Sequence, residues 1–203
     1  MIKRIFAILM IAATAFGASA EFRWGPTAGI NISEIYWKQK LVNTELLTGP
    51  NVGVMGEIMI PGIGFGIDLA LKYSMRGANV NFGDQHIWSS QGFGKEKIWF
   101  HTLQIPVNVR FKWTRMNGFE HYAAPFVYGG PVFNFNLSTT KLPIIEHPTG
   151  SVGLQCGIGG EFFERYQLSA GYCWGVSYDI RTKQLDNFSG CTRGWQINVA
   201  VLF

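Results

Sequence analysis

The sequence predicts an all-β protein: an eight-stranded antiparallel up-and-down transmembrane β-barrel with short periplasmic turns and longer outside loops. Three observations predict it. Apolar and polar residues alternate with a period of two in segment after segment. The connections between those segments alternate long and short, as the two ends of a membrane barrel require. Charged residues make up only 15% of the chain, well below the ~25% of soluble domains, so the polar face of the strands is too sparsely charged for a water-facing surface.

The elements follow in order. Lys3 and Arg4 precede an apolar run from Ile5 to Phe16, and Ala18-Ser19-Ala20 has the small-x-small form read by signal peptidase. The run is shorter than the ~20 residues a membrane-spanning helix needs. Residues 1–20 are therefore expected to be a cleaved signal peptide, with cleavage near Ala20. Residues 21–203 then form a single outer-membrane β-barrel domain. Without Lys3 and Arg4 the chain keeps 15 basic against 13 acidic residues, with no basic run, which gives no footprint for nucleic acid.

The clearest strand lies between Trp99 and Trp113. There Leu103, Ile105, Val107, Val109 and Phe111 alternate with Thr102, Gln104, Pro106, Asn108, Arg110 and Lys112. Ile67, Leu69, Leu71, Tyr73 and Met75 alternate in the same way with Asp68, Ala70, Lys72, Ser74 and Arg76. Near the C-terminus Trp195, Ile197, Val199, Val201 and Phe203 share one face. The full set of expected strands is 23–36, 51–60, 65–77, 99–113, 122–137, 150–163, 166–179 and 192–203. In 122–137 the facing is ambiguous, because Gly129-Gly130-Pro131 interrupts the pattern. Pro61-Gly62-Ile63-Gly64 and Glu164-Arg165 are the short turns, with 114–121 somewhat longer. The segments 37–50, 78–98, 138–149 and 180–191 are the long loops.

A soluble barrel would show the same alternation with its apolar face inward. Two features favour apolar-out. Gly153, Gly157, Gly159, Gly171 and Gly175 are poor residues for a solvent-facing strand but suit the inside of a narrow barrel. Aromatic residues gather near expected strand ends, at Trp24, Tyr36, Trp37, Trp99, Trp113, Tyr122, Tyr166, Tyr178 and Trp195, as interfacial girdles do.

The inward positions then include Glu57, Asp68, Lys72, Arg76, Gln104, Asn108, Arg110, Lys112, Gln155, Glu161, Asp179, Gln196 and Asn198. Buried charges are costly unless paired, so these residues are expected to form cross-barrel ion pairs and hydrogen bonds that fill the lumen. A narrow polar conduit is the alternative use of the same residues.

Chemistry is hard to find elsewhere. His86, His101, His121 and His147 have no metal-ligand spacing. His86, Ser89, Ser90 and Asp84 share one loop, but sequence adjacency alone orients no nucleophile. Cys156, Cys173 and Cys191 are an odd number with no metal-type spacing. No enzyme, cofactor or metal is expected. The loop from Ala78 to Ile98, with Trp88, Phe93, Lys95 and Lys97, is a candidate surface for a partner or for anionic headgroups.

The chain ends on Phe203 after apolar residues at every second position, which resembles the signal read by the outer-membrane insertion machinery. Ala28-Gly29-Ile30-Asn31-Ile32-Ser33, Leu71-Lys72-Tyr73-Ser74-Met75-Arg76-Gly77, and the run from Leu103 to Lys112 resemble segments of the PorT-type outer-membrane β-barrel family. So do Ala124 to Pro131 and the glycine-rich stretch from Gly150 to Glu161. This resemblance implies a barrel in a bacterial outer membrane, in contact with its lipid. It also implies envelope or secretion proteins as partners, since the family's namesake takes part in protein export. The expected function is a non-enzymatic, lumen-filled interaction or assembly component of the envelope. The alternative is a stand-alone barrel for small-solute passage or surface binding.

Overall fold

The computed structural model describes residues 21–37, 43–60, 63–81, 95–116, 118–140, 145–146, 148–182 and 189–203. The strands are β1 (Glu21–Trp37), β2 (Asn43–Met59), β3 (Phe65–Asn81), β4 (Lys95–Lys112), β5 (Ala123–Thr139), β6 (Ile145–Glu146), β7 (Gly150–Phe162), β8 (Tyr166–Gly175), β9 (Ile180–Thr182) and β10 (Ser189–Val201). Eight of them form one antiparallel ladder in the order β1-β2-β3-β4-β5-β7-β8-β10, and β10 pairs back with β1 to close it.

The register fixes the barrel's width. Paired residues lead from Glu21 through Met59, Gly66, Arg110, Tyr128, Gly157, Gly171 and Gln196 back to β1 at Asn31. One circuit is thus displaced by ten residues along β1. With ~3.3 Å per residue and ~4.8 Å between strands, this stagger tilts the strands by roughly 40° and sets a backbone radius of about 8 Å. Such a tube has room inside for side chains and little else.

Large and small residues share that room by turns. The ambiguous strand resolves with Ala124, Phe126 and Val132 buried inward and Val127, Phe133 and Phe135 outward. Phe126 lies opposite Gly159, and Tyr128 lies opposite Gly157 and next along the ladder to Gly171. A Cβ on Gly159 would come within 2.3 Å of Phe126 Cζ, and one on Gly171 within 2.4 Å of Tyr128 Oη. The glycines are therefore the space into which the two rings fit.

The wall reverses its polarity partway along β3. On β3, Ile67, Leu69, Leu71 and Tyr73 are exposed outward while Asp68, Lys72, Ser74 and Arg76 are buried inward. Further along the same strand Ala78 and Val80 are buried inward, and Asn79 and Asn81 take the outer face. Ile35, Trp37, Ile98, Phe100 and Ile180 join Ala78 and Val80 as an apolar core at that end. Glu45 and Lys97 are exposed there. The pleat does not change, so the surroundings must: acyl chains around the lower wall, water around the upper. At that tilt the 17 residues of β3 rise roughly 40 Å, beyond the ~25 Å apolar band of such barrels.

Several expectations are corrected by this reversal. The segments 37–50 and 78–98 are not loops throughout, since β2 starts at Asn43, β3 runs to Asn81 and β4 starts at Lys95. The Lys95 and Lys97 of the expected partner loop are strand residues, while Trp88 and Phe93 lie outside the described residues. β8 ends at Gly175 rather than near residue 179. The freed upper edge of β10 is taken by β9, which in turn pairs with β6. Trp37 belongs to the apolar core and not to a girdle, and Trp195 lies within β10 rather than at its end.

Local irregularities interrupt the regular ladder. A bulge in β2 between Leu46 and Asn51 breaks its pairing with β3. There Ser33 Oγ of β1 replaces the missing partner, accepting from Gly77 N and donating to Gly77 O, both at 2.9 Å. The β7–β8 hairpin carries positive φ at Phe163 (52°) and Glu164 (58°), where glycine or asparagine is the ordinary choice.

Gly159→Ala is expected to destabilise the barrel by about 1–3 kcal/mol through the Phe126 clash, measured by urea unfolding in lipid vesicles. Gly160→Ala, facing outward, should be nearly neutral. Adding Phe126→Leu to Gly159→Ala should recover part of the loss; no recovery would mean that the ring is not the obstacle.

Candidate functional site

The lower lumen is a single ion cluster. Glu57 on β2 is fully buried, and each of its oxygens accepts two hydrogen bonds. Oε1 receives Arg23 Nη2 at 2.7 Å and Lys112 Nζ at 2.8 Å. Oε2 receives Arg110 Nη1 and Gln167 Nε2, both at 2.7 Å. These four bonds use the whole acceptor capacity of a carboxylate. Glu161 Oε2 accepts from Lys112 Nζ at 2.8 Å, Gln167 Nε2 at 2.7 Å and Arg23 Nη2 at 3.0 Å. Arg110 Nε donates to Asp68 Oδ2 at 2.7 Å, and its guanidinium lies 4.0 Å from the centre of the Phe126 ring.

Three cations and three carboxylates balance in this cluster, and β1, β2, β3, β4, β7 and β8 each contribute at least one of its side chains. β5 supplies Phe126, and Leu202, just past β10, is buried at the same end. The strand alternation places these groups inward; the stagger brings them to one level. Arg23 also reaches out of the cluster, its Nη1 donating to Glu164 O in the strained hairpin at 2.6 Å. On the outer side of that hairpin His121 Nδ1 is in hydrogen-bond contact with Glu164 Oε1.

Neutral amides fill the lumen above. Gln155 Nε2 donates to Asn108 Oδ1 at 2.8 Å, and Gln104 Nε2 donates to Asn134 Oδ1 at 3.0 Å. Gln196 Nε2 approaches Gln104 Oε1 at 3.4 Å. Asn51 Nδ2 donates to Asn31 Oδ1, and Asn31 Nδ2 to Ser74 Oγ, both at 2.9 Å. Asp179, just beyond β8, accepts from Thr192 N through Oδ2 at 2.7 Å. The apolar core at Ile35, Trp37, Ile98 and Phe100 then caps the column.

All thirteen residues assigned to the lumen from sequence are buried. The structure joins Glu57, Asp68, Arg110, Lys112 and Glu161 by ion pairs, and Gln104 with Gln196 and Asn108 with Gln155 by amide contacts. Lys72, Arg76 and Asp179 take part in no ion pair among the described residues, and Asn198 Oδ1 is buried without a partner. Sequence reasoning missed Arg23 and Gln167. Both sit at strand ends, yet Arg23 shares the parity of Thr27 and Asn31, and Gln167 that of Gly171, so carrying the alternation to the turn would have found them.

The remaining candidates are scattered. His101 is on the outer wall with its Nδ1 2.6 Å from Tyr73 Oη. His86, Ser89, Ser90, Asp84 and His147 lie outside the described residues, as does the segment 1–20. All three cysteines are free thiols: Cys156 is exposed on the outer face, Cys173 is buried inward, and Cys191 is half-buried. Among the described residues no group of histidine, cysteine and carboxylate side chains is arranged to hold a metal.

A closed antiparallel barrel with an apolar outer band and an ion-paired interior defines a transmembrane β-barrel of the outer-membrane class. The family described as outer membrane protein beta-barrel domain matches residues 14–178, and the chain belongs to it. No curated protein matches. Among solved structures, the outer membrane protein OprG from Pseudomonas aeruginosa is similar over 91% of this chain and 95% of its own, with a TM-score of 0.53 and 11% identity. A major outer membrane protein from Thermus thermophilus is similar over 91% and 99%, with a TM-score of 0.51 and 14% identity. At these identities the likeness is one of fold.

Removing Glu57 should therefore be severe. Glu57→Leu leaves Arg23, Arg110 and Lys112 short of one buried counter-charge and is expected to lose about 3–5 kcal/mol of stability. Glu34→Ala breaks the part-exposed outer pair with Arg193 and should lose less than about 1 kcal/mol. Urea titration of both variants in the same vesicles checks the contrast.

Proposed function

We propose that this chain is a non-enzymatic, closed outer-membrane scaffold that works by contact with other envelope components rather than by passage of solutes. The observation that carries the reading is the ion cluster at Glu57, which crosses the lumen with short hydrogen bonds and lies under a column of paired amides. A permeant ion or solute would have to displace those bonds, and breaking a buried pair leaves charge uncompensated in a low-dielectric interior. The apolar core at the far end offers no polar path either.

The resemblance to the PorT type makes protein export the first setting in which to seek a partner. In this reading the signal peptide is removed near Ala20, and the barrel-insertion machinery takes up the strand ending at Phe203. Lipid contacts the apolar wall. The water-facing upper wall and the periplasmic hairpins are left for protein contacts.

In-cell cross-linking of a tagged chain, followed by purification from the outer membrane, tests this. Recurrent recovery of the same envelope or secretion proteins is expected, together with an absence of sustained conductance in a planar bilayer. A chain recovered alone that conducts steadily would instead establish solute passage and end the scaffold reading.

A further inference from the structure

The interior holds more positive charge than its ion pairs account for. The lower cluster is balanced, with Arg23, Arg110 and Lys112 against Glu57, Asp68 and Glu161. Above it stand Lys72, 8% exposed, and Arg76, 5% exposed, four residues apart on the inner face of β3. Neither forms an ion pair among the described residues, and Arg76 Nε is buried with no partner. Asp179 is the one buried carboxylate above the cluster among the described residues, and it faces Thr192 N. A buried cation without a counter-charge is strongly unfavourable.

Beside Lys72 the lumen opens into a cavity of about 40 Å³, walled by Asp68, Asn108, Tyr128, Ser169 and Asn198 among others. A water molecule needs roughly 10–15 Å³ by the same kind of measure, so the space accepts a small ion with a water beside it. The cavity lies between two closures. Below is the Glu57–Arg110 contact; above is the row of Gln104, Asn134 and Gln196. Its wall offers Lys72, the hydroxyl residues Thr27, Tyr128 and Ser169, and the side-chain amides. Asp68 is the one carboxylate on that wall, and Arg110 Nε already binds its Oδ2 at 2.7 Å. Its Oδ1 accepts no hydrogen bond, and its charge is shared between Arg110 and Lys72, so Lys72 has no contact partner of its own among the described residues.

We propose that this chamber binds one small monovalent inorganic anion of chloride size, held at Lys72 as its buried counter-charge. The ion is a fixed part of the lumen and not a permeant species, because bonded side chains lie on either side of it along the axis. Arg76, one inward step past Ser74, adds to the positive potential without touching the ion.

The test uses the purified, folded barrel in detergent, moved into chloride-free buffer. Its unfolding midpoint is followed while sodium chloride or sodium gluconate is added at matched ionic strength, since gluconate is too large for the chamber. A saturating upward shift with chloride, absent with gluconate, is expected. The shift should vanish in Lys72→Met and persist in Lys97→Met, which removes a cation exposed outside. In parallel, crystals grown in millimolar bromide should show a single anomalous peak in the lumen beside Lys72. Equal shifts in the two salts, or a lumen with no peak, overturn the proposal and leave Lys72 solvated by water alone. Should Lys72→Met fail to fold, the bromide map of the unaltered protein decides.

Discussion

The closed ladder makes the interior a place where charge has to be neutralised locally, and Glu57 is where that happens. A tube of eight strands staggered by ten residues admits side chains from every wall to one another's reach. Inward polar residues on a membrane barrel have no bulk water to fall back on at this radius. Glu57 answers by accepting from β1, β4 and β8 at once, so that groups far apart in sequence, such as Arg23 and Gln167, meet at a single carboxylate. Glu57, Asp68 and Glu161 together explain why the lower lumen can hold three cations. The register of six strands is tied to this point. A slip by one residue would turn Glu57, Arg110 and Lys112 into lipid.

The second constraint is the change of solvent along the barrel axis. A membrane barrel alternates apolar-out and polar-in, whereas a soluble barrel does the reverse, and this chain does both in succession on one strand. The crossover on β3 falls between Arg76 and Ala78, and the inward residues of β4 change similarly between Thr102 and Phe100. Tyr36, with Arg193 stacked 4.3 Å above its ring and Arg193 paired to Glu34, sits on the outer wall at about this height. A cation, a carboxylate and an aromatic ring together are what a headgroup layer accommodates. The upper barrel is thus a water-soluble extension standing on a membrane-embedded base.

The fold was legible because a period of two survives in the membrane-embedded segments other than 122–137, and the long and short connections pointed to a membrane barrel. Leu103 to Lys112 needs only that alternation to be read correctly. What was not legible was the part beyond the bilayer. Ala78, Asn79, Val80 and Asn81 alternate as faithfully as the residues before them, but with the faces exchanged, so a reading that follows apolar residues outward sees the strand end at Gly77. The ion cluster was half legible. Parity identifies which charges point inward, but which of them meet depends on the stagger, and no single strand records it. Lys72 and Arg76 look in sequence like members of the same network as Arg110, yet they lie higher in the tube than its carboxylates.

The hairpin at Phe163 and Glu164 shows how far the lumen's electrostatics reach. Two consecutive non-glycine residues in left-handed conformation are unfavourable by roughly 1–2 kcal/mol each, and a turn of this kind accepts asparagine and glycine without that strain. Arg23 lies between the two demands. One nitrogen of its guanidinium binds Glu57 and Glu161, and the other binds the carbonyl of Glu164. Tyr122 O accepts from Phe163 N, and Leu202 N donates to Arg165 O, fastening the hairpin to the neighbouring turn and to the chain end after β10. The strained turn is therefore fixed from inside the barrel by the same guanidinium that pairs with Glu57 and Glu161. A turn held in this way is tied to the barrel interior, which is the property the proposed contact-making scaffold needs and a gated pore does not.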